Sequence, residues 1–353
     1  MLTLALLLST PQAHAVEVTH IPPFLRGDIT VGYEFDLESA NLLEGDDQVA
    51  RMAQEQHRMR YAAVFGVAPG AAVFLELPSY LRDRVSYGDG RQMVYEPTEE
   101  SGTFAGGELL DNQPVYEGSG LGGTWLGVRG TPWSQELMSG RGVKSTWLLE
   151  FGYRFIDESN FWVEDADGQR GAGPGGPATR WRMAYSADKG VSRPYIQGAF
   201  EKNYWVEADI LDDEGEVAAK NAVITPRSKV DVHTGIEVTP YEDEVRGSSF
   251  TIDFRFGWGH RTFGEVPSGI YLPSILPTSA GDVVVSSETN TLKGGLGLYY
   301  RPFTYMKIDL FTDVNYVMPY KMEHPYEVYT GWSTLNFVGG AQLEILIRSE
   351  SGL

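Results

Sequence analysis

Cysteine is absent from the sequence, so no disulfide and no thiolate metal site can form, and an exported chain of this composition draws its stability from its fold alone. Long apolar runs are also missing: beyond the first ten residues nothing approaches the roughly 18 consecutive apolar residues of a membrane helix. Any crossing of a membrane must therefore be made by strands. Basic residues are scarce beside acidic ones, 28 Lys and Arg against 48 Asp and Glu, giving a formal net charge of −20. That balance excludes nucleic acid as a partner, because phosphate binding needs clustered cations. Hydrophobic residues, at 42%, are too many for a disordered chain and too few for a bundle of membrane helices.

Aromatics and glycine are plentiful: 19 Tyr, 16 Phe, 8 Trp and 41 Gly in 353 residues. This composition leans toward strands with many turns and close backbone approaches. The N-terminal run Met1 to Thr10, rich in Leu and Ala, ends in Ala13, His14 and Ala15, the small-residue pattern of a cleavage site. Residues 1–15 are thus expected to be a secretory signal peptide, and residues 16–353 one domain.

The clearest stretch is Phe250 to Trp258. Side chains alternate across a strand, so Phe250, Ile252, Phe254, Phe256 and Trp258 share one face and Thr251, Asp253, Arg255 and Gly257 the other. Such a strand suits lipid on one side and water on the other. Twelve segments carry this pattern, beginning near Asp28, Met59, Val73, Leu121, Thr146, Arg180, Pro194, Val230, Phe250, Leu292, Met306 and Phe337. Their connections alternate long and short along the chain. Segments of this length exceed ordinary strands, and Trp147, Trp181, Trp258, Tyr300 and Tyr316 recur near segment ends as interfacial girdles would. A soluble β-sandwich shares the alternation but gives no reason for the rhythm of the loops. The expected fold is all-β: a transmembrane antiparallel up-and-down β-barrel of about 12 strands, with long extracellular loops and short periplasmic turns.

In this pattern the chain resembles bacterial outer-membrane β-barrels across nearly its whole mature length. Within that class, Gly120-Leu121-Gly122-Gly123-Thr124-Trp125-Leu126-Gly127-Val128-Arg129 is similar to the Gly-Leu-Gly-Asp strand of uptake barrels linked to the degradation of aromatic compounds. Position 123 is Gly where that pattern has Asp, and the chain closes on Leu353 where many barrels close on an aromatic, so the resemblance implies a class and no substrate. It implies the outer membrane as location, membrane lipid as surroundings, and small solutes as cargo.

If the apolar faces meet lipid, the lumen collects Arg60, Glu76, Glu150, Arg154, Arg180, Arg182, Asp231, His233, Asp253, Arg255, Lys293, Lys307, Asp309, Asp313 and Glu344. Opposite charges in a lumen either cross-link it or set up a transverse field for passing solutes. The apolar residues Ile270, Tyr271, Leu272, Ile275 and Leu276 sit in a long connection and are expected to form a plug, or a contact with another envelope protein. Three readings follow. The first is a passive channel or uptake pore; the second is a structural anchor in an adhesion or motility assembly; the third is a lipid-modifying barrel enzyme. For the third, His233 has no Ser at a telling position in its own strand. The acidic stretches Glu44–Asp47, Glu164–Asp167 and Asp212–Glu216 lack the spacing of a defined Ca²⁺ loop, so neither a metal nor a cofactor is expected.

Overall fold

The computed structural model describes residues 19, 21–22, 24–44, 47–88, 90–96, 103–110, 113–132, 144–155, 176–211, 217–243, 245–267, 283–303, 305–323, 328–333 and 335–347. The signal-peptide segment and Ile270, Tyr271, Leu272, Ile275 and Leu276 lie outside the described residues.

Twelve strands form the wall. They are β1 (Gly27–Glu44), β2 (Asp47–Ala68), β3 (Ala71–Gly88) and β4, in two pieces, Gln113–Leu121 and Trp125–Gly130. Next come β5 (Lys144–Arg154), β6 (Ala178–Asp188), β7 (Ser192–Asn203) and β8 (Lys229–Asp243). The last four are β9 (Ser248–Arg261), β10 (Thr289–Phe303), β11 (Met306–Val317) and β12 (Leu335–Ile347). Each pairs antiparallel with its neighbours in sequence, and β1 pairs with β12 from Gly27↔Ile347 to Leu37↔Phe337, closing the ring. The twelve segments expected from alternation coincide with these strands.

Closure leaves no edge strand, so the backbone groups of the paired strands bond to neighbours on both sides, which a strand in hydrocarbon requires. The outward positions are apolar and exposed: Ile29, Tyr33 and Leu37 on β1, Tyr61, Phe65 and Val67 on β2, Trp147 and Leu149 on β5, Phe254, Phe256 and Trp258 on β9, Leu296 and Tyr300 on β10. A water-facing surface would not carry so continuous an apolar belt.

One end of the barrel is closed by tight connections. Gly70, Gly190 and Gly247 turn the chain there at φ of 70°, 79° and 65°, a region where a side chain would be strained. At the other end, among the described residues, four connections carry paired strands of their own. Hairpins pair Gly90–Glu96 with Thr103–Leu110 and Val206–Leu211 with Val217–Ile224. Gly264–Pro267 pairs with Val283–Ser286, and Tyr320–Glu323 with Val328–Ser333, which in turn pairs with the upper part of β1. The first of the expected long loops is no loop, because β1 and β2 stay paired as far as Glu44↔Asp47.

The break in β4 has a steric origin. A Cβ on Gly122 would stand 2.6 Å from the Tyr80 ring, and one on Gly123 would stand 2.8 Å from the Arg154 side chain. The backbone steps aside, with Gly122 N–H donating to Pro78 O at 2.8 Å, so that both long side chains can lie against the inner wall.

Candidate functional site

The inner face carries the chemistry, and two walls of it can be built separately. On the first, β3 supplies Glu76 and β6 supplies Arg180, three strands apart. They meet as a fork on a fork: Arg180 Nη2 donates to Glu76 Oε1 at 2.9 Å and Nη1 to Oε2 at 3.2 Å. Arg60 of β2 reaches the same carboxylate at 3.1 Å. Glu150 of β5 is ringed by Arg180 at 3.1 Å, Arg129 at 3.2 Å and Arg182 at 3.5 Å. Arg154 donates to Glu201 at 3.2 Å, Asn203 at 2.7 Å and Gly176 O at 2.9 Å. Beneath these guanidinium groups lie two buried aromatics. Arg180 is 4.7 Å from the Trp125 ring centre and 5.5 Å from that of Phe74, and Arg129 is 5.0 Å from Phe74. Phe74 lies flat because of Gly127 and Gly152, where a Cβ would stand 2.5 and 3.0 Å from its ring.

On the second wall, Asp253 of β9 is fully buried. It accepts from Tyr195 at 3.0 Å, Tyr299 at 3.1 Å and Arg255 at 3.2 Å. Arg255 Nε also donates to Asp313 at 2.7 Å, crossing Gly295. Asp231 holds Lys229 at 2.7 Å and Lys293 at 2.5 Å, and Lys307 reaches Glu344 at 2.5 Å and Asp309 at 3.5 Å. His233 is buried beside Asp231, with Gln197 and Gly257 as its register neighbours. No serine stands next to it across either strand.

All fifteen residues singled out from the sequence lie on the inner side, and all are buried or nearly so. The structure joins them into the groups above. Several participants are not among the lumen candidates expected from the sequence: Arg129, Glu201, Asn203, Tyr195, Tyr299, Phe74 and Trp125. Phe74, Trp125 and Tyr299 carried a signal, since they alternate with outward Leu75, Leu126 and Tyr300. Arg58 and Glu34, which pair with each other, and Gln54, which donates to the fully buried Asp83 at 2.8 Å, extend the polar lining toward the far end.

The described ion pairs run along the wall, each joining strands no more than three places apart around the ring. Away from the tight turns the two walls differ in sign. On β2 to β7, Arg58, Arg60, Arg129, Arg154, Arg180 and Arg182 outnumber Glu76, Asp83, Glu150 and Glu201. On β8 to β12 and β1, Lys229, Arg255, Arg261, Lys293, Arg301 and Lys307 are outnumbered by Asp28, Glu34, Asp36, Glu38, Asp231, Glu237, Asp253, Asp309, Asp313 and Glu344. A cationic surplus thus faces an anionic one. Among the described residues no group of three or more His, Asp or Glu side chains is arranged to hold a metal ion.

A closed, even-numbered antiparallel ring with a charged interior and an apolar belt defines a transmembrane β-barrel of the bacterial outer membrane. No protein-family model matches the chain, and no curated protein does. Among solved structures it is similar to an outer membrane channel from Pseudomonas putida F1, at 10% identity and a TM-score of 0.48, over 94% of this chain and 98% of that one. It is also similar to the TodX monoaromatic hydrocarbon channel, at 6% identity and 0.42, over 94% and 92%. A third likeness is to the outer membrane protease OmpT from Escherichia coli, at 10% identity and 0.33, over 91% and 96%.

Proposed function

We propose that the barrel is a passive channel for small polar solutes, delivered to the outer membrane by residues 1–15. The observation that carries this reading is the pair of facing walls with opposite charge surplus. Their side chains are drawn flat along the wall by glycine notches, as in Phe74 over Gly127 and Arg255 over Gly295. Such walls impose a field across the path of a solute, and the field favours dipolar or charged solutes over apolar ones. The competing reading is a non-conducting anchor, favoured by the complete burial of Asp253 and Asp309. Purified barrel in a planar bilayer should give discrete conductance steps. Neutralising the neighbours Asp253 and Arg255 together should then alter ion selectivity. A barrel that stays silent over a wide voltage range would sink the channel and leave the anchor.

A further inference from the structure

The outer surface of the barrel changes character just beyond the belt on β12, β1, β2 and β3. Phe337, Leu37, Glu55 and Arg84 stand side by side there in register. One row nearer the belt come Phe35, His57 and Arg82; one row farther out come the small residues Ser39, Ala53 and Ser86, and beyond them Arg51. The step from large to small side chains leaves an outward groove of about 540 Å³, lined by Leu37, Ser39, Ala53, Arg84, Ser86 and Phe337. Its lower edge is apolar and its upper edge offers hydroxyls.

Charge singles this patch out. In a chain of net charge −20, the outward carboxylate Glu55 has Arg84 as its register neighbour and Arg82 as a close ion-pair partner. Glu55 is engaged by Arg82 at 3.4 Å and His57 at 2.7 Å. The buried Nε of Arg84 makes no hydrogen bond among the described residues, although the side chain lines the groove. A planar guanidinium beside hydroxyls, above an apolar ledge at the boundary of a lipid belt, matches a phosphate carried on acyl chains.

We propose that this groove binds a phosphorylated membrane lipid, with the phosphate on Arg84 and Arg82, the headgroup over Ser39 and Ser86, and the first part of an acyl chain on Leu37 and Phe337. The assignment does not depend on the barrel conducting.

The test is binding to the full-length barrel in uncharged detergent. The probes are diphosphoryl lipid A, its dephosphorylated form, and inorganic phosphate alone. Wild type should retain the diphosphoryl lipid and neither of the others. The double variant R82Q/R84Q should lose about ten-fold or more in affinity, the scale of a charge-assisted hydrogen bond. Ala53→Trp, which fills the groove and leaves every arginine in place, should lose binding as well while the barrel stays folded. Arg246→Gln, at the opposite end and 81% exposed, should bind as wild type does. Equal affinity in wild type and R82Q/R84Q, equal retention of the dephosphorylated lipid, or saturation by inorganic phosphate would each overturn the proposal.

Discussion

On the wall of β3 to β6, guanidinium groups lie over aromatic rings; on the wall of β8 to β11, carboxylates and amines lie over glycines. The first wall gathers Arg129, Arg154 and Arg180 on Phe74 and Trp125 at 4.7 to 5.5 Å from the ring centres. The second has one such contact among the described residues, Arg255 near Phe311 at 6.0 Å, and relies instead on Gly235, Gly257, Gly259, Gly295 and Gly297 to make room. Both bring charges out of bulk water, which is tolerable only where each has close partners. The arginine wall does this by sharing carboxylates, two arginines on Glu76 and three on Glu150. The glycine wall also shares a carboxylate, with Lys229 and Lys293 on Asp231, but adds neutral donors, as at Asp253 with Tyr195 and Tyr299. Sharing makes the first wall brittle, and multiple donors make the second forgiving.

The sharpest way to break that contrast is Glu76→Gln. It takes the carboxylate from Arg60 and Arg180 together, leaving Arg180 with Glu150 alone, and loss of one side of a buried ion pair costs about 3–5 kcal/mol. Asp313→Asn, its counterpart on the other wall, leaves Arg255 with Asp253 and should cost about 1 kcal/mol. Urea unfolding of both variants in the same lipid gives the comparison, and equal losses would remove the distinction between the walls.

Steric room comes next in size. A Cβ on Gly235 would stand 2.5 Å from the Tyr195 ring and 2.7 Å from Phe254 O, so Gly235→Val should cost about 1–3 kcal/mol by overpacking. Gly198 faces outward onto an apolar hollow of about 730 Å³ with no atom within 4 Å of its Cβ position. Gly198→Val should therefore stay within about 0.5 kcal/mol of wild type by the same measurement. The smallest effect concerns selectivity. On the proposed channel reading, Arg182→Gln should make the barrel less anion-preferring and Asp313→Asn less cation-preferring, read as reversal potentials displaced in opposite directions in a salt gradient.

The strands were legible in the sequence wherever lipid on one side met polar surroundings on the other. Phe250 to Trp258 shows this plainly, since each position declares its side. Legibility failed where both faces of a strand are wet. Beyond Leu37, the outward positions Ser39 and Asn41 no longer contrast with Glu38 and Ala40, so the strand looked finished while it continues to Glu44. The pairing of Asp253 with Arg255 was visible because the two are neighbours on one face of one strand. The fork between Glu76 and Arg180 was not, since it depends on β4 and β5 lying between them. Nor was the role of the inner glycines, which is set by side chains from adjacent strands. The alternation along β7 reads less clearly, which hid Tyr195, Gln197 and Glu201.

Those glycine notches have a consequence for how such a chain can change over time. Tyr195 is able to reach Asp253 because Gly235, on the strand between, has no side chain. A mutation that enlarges position 235 is blocked until the ring at 195 shrinks, and a smaller residue at 195 frees 235 to drift. Positions 195 and 235, forty apart in the chain, are thus sterically coupled, and a larger residue at 235 is expected to be tolerated only together with a smaller one at 195.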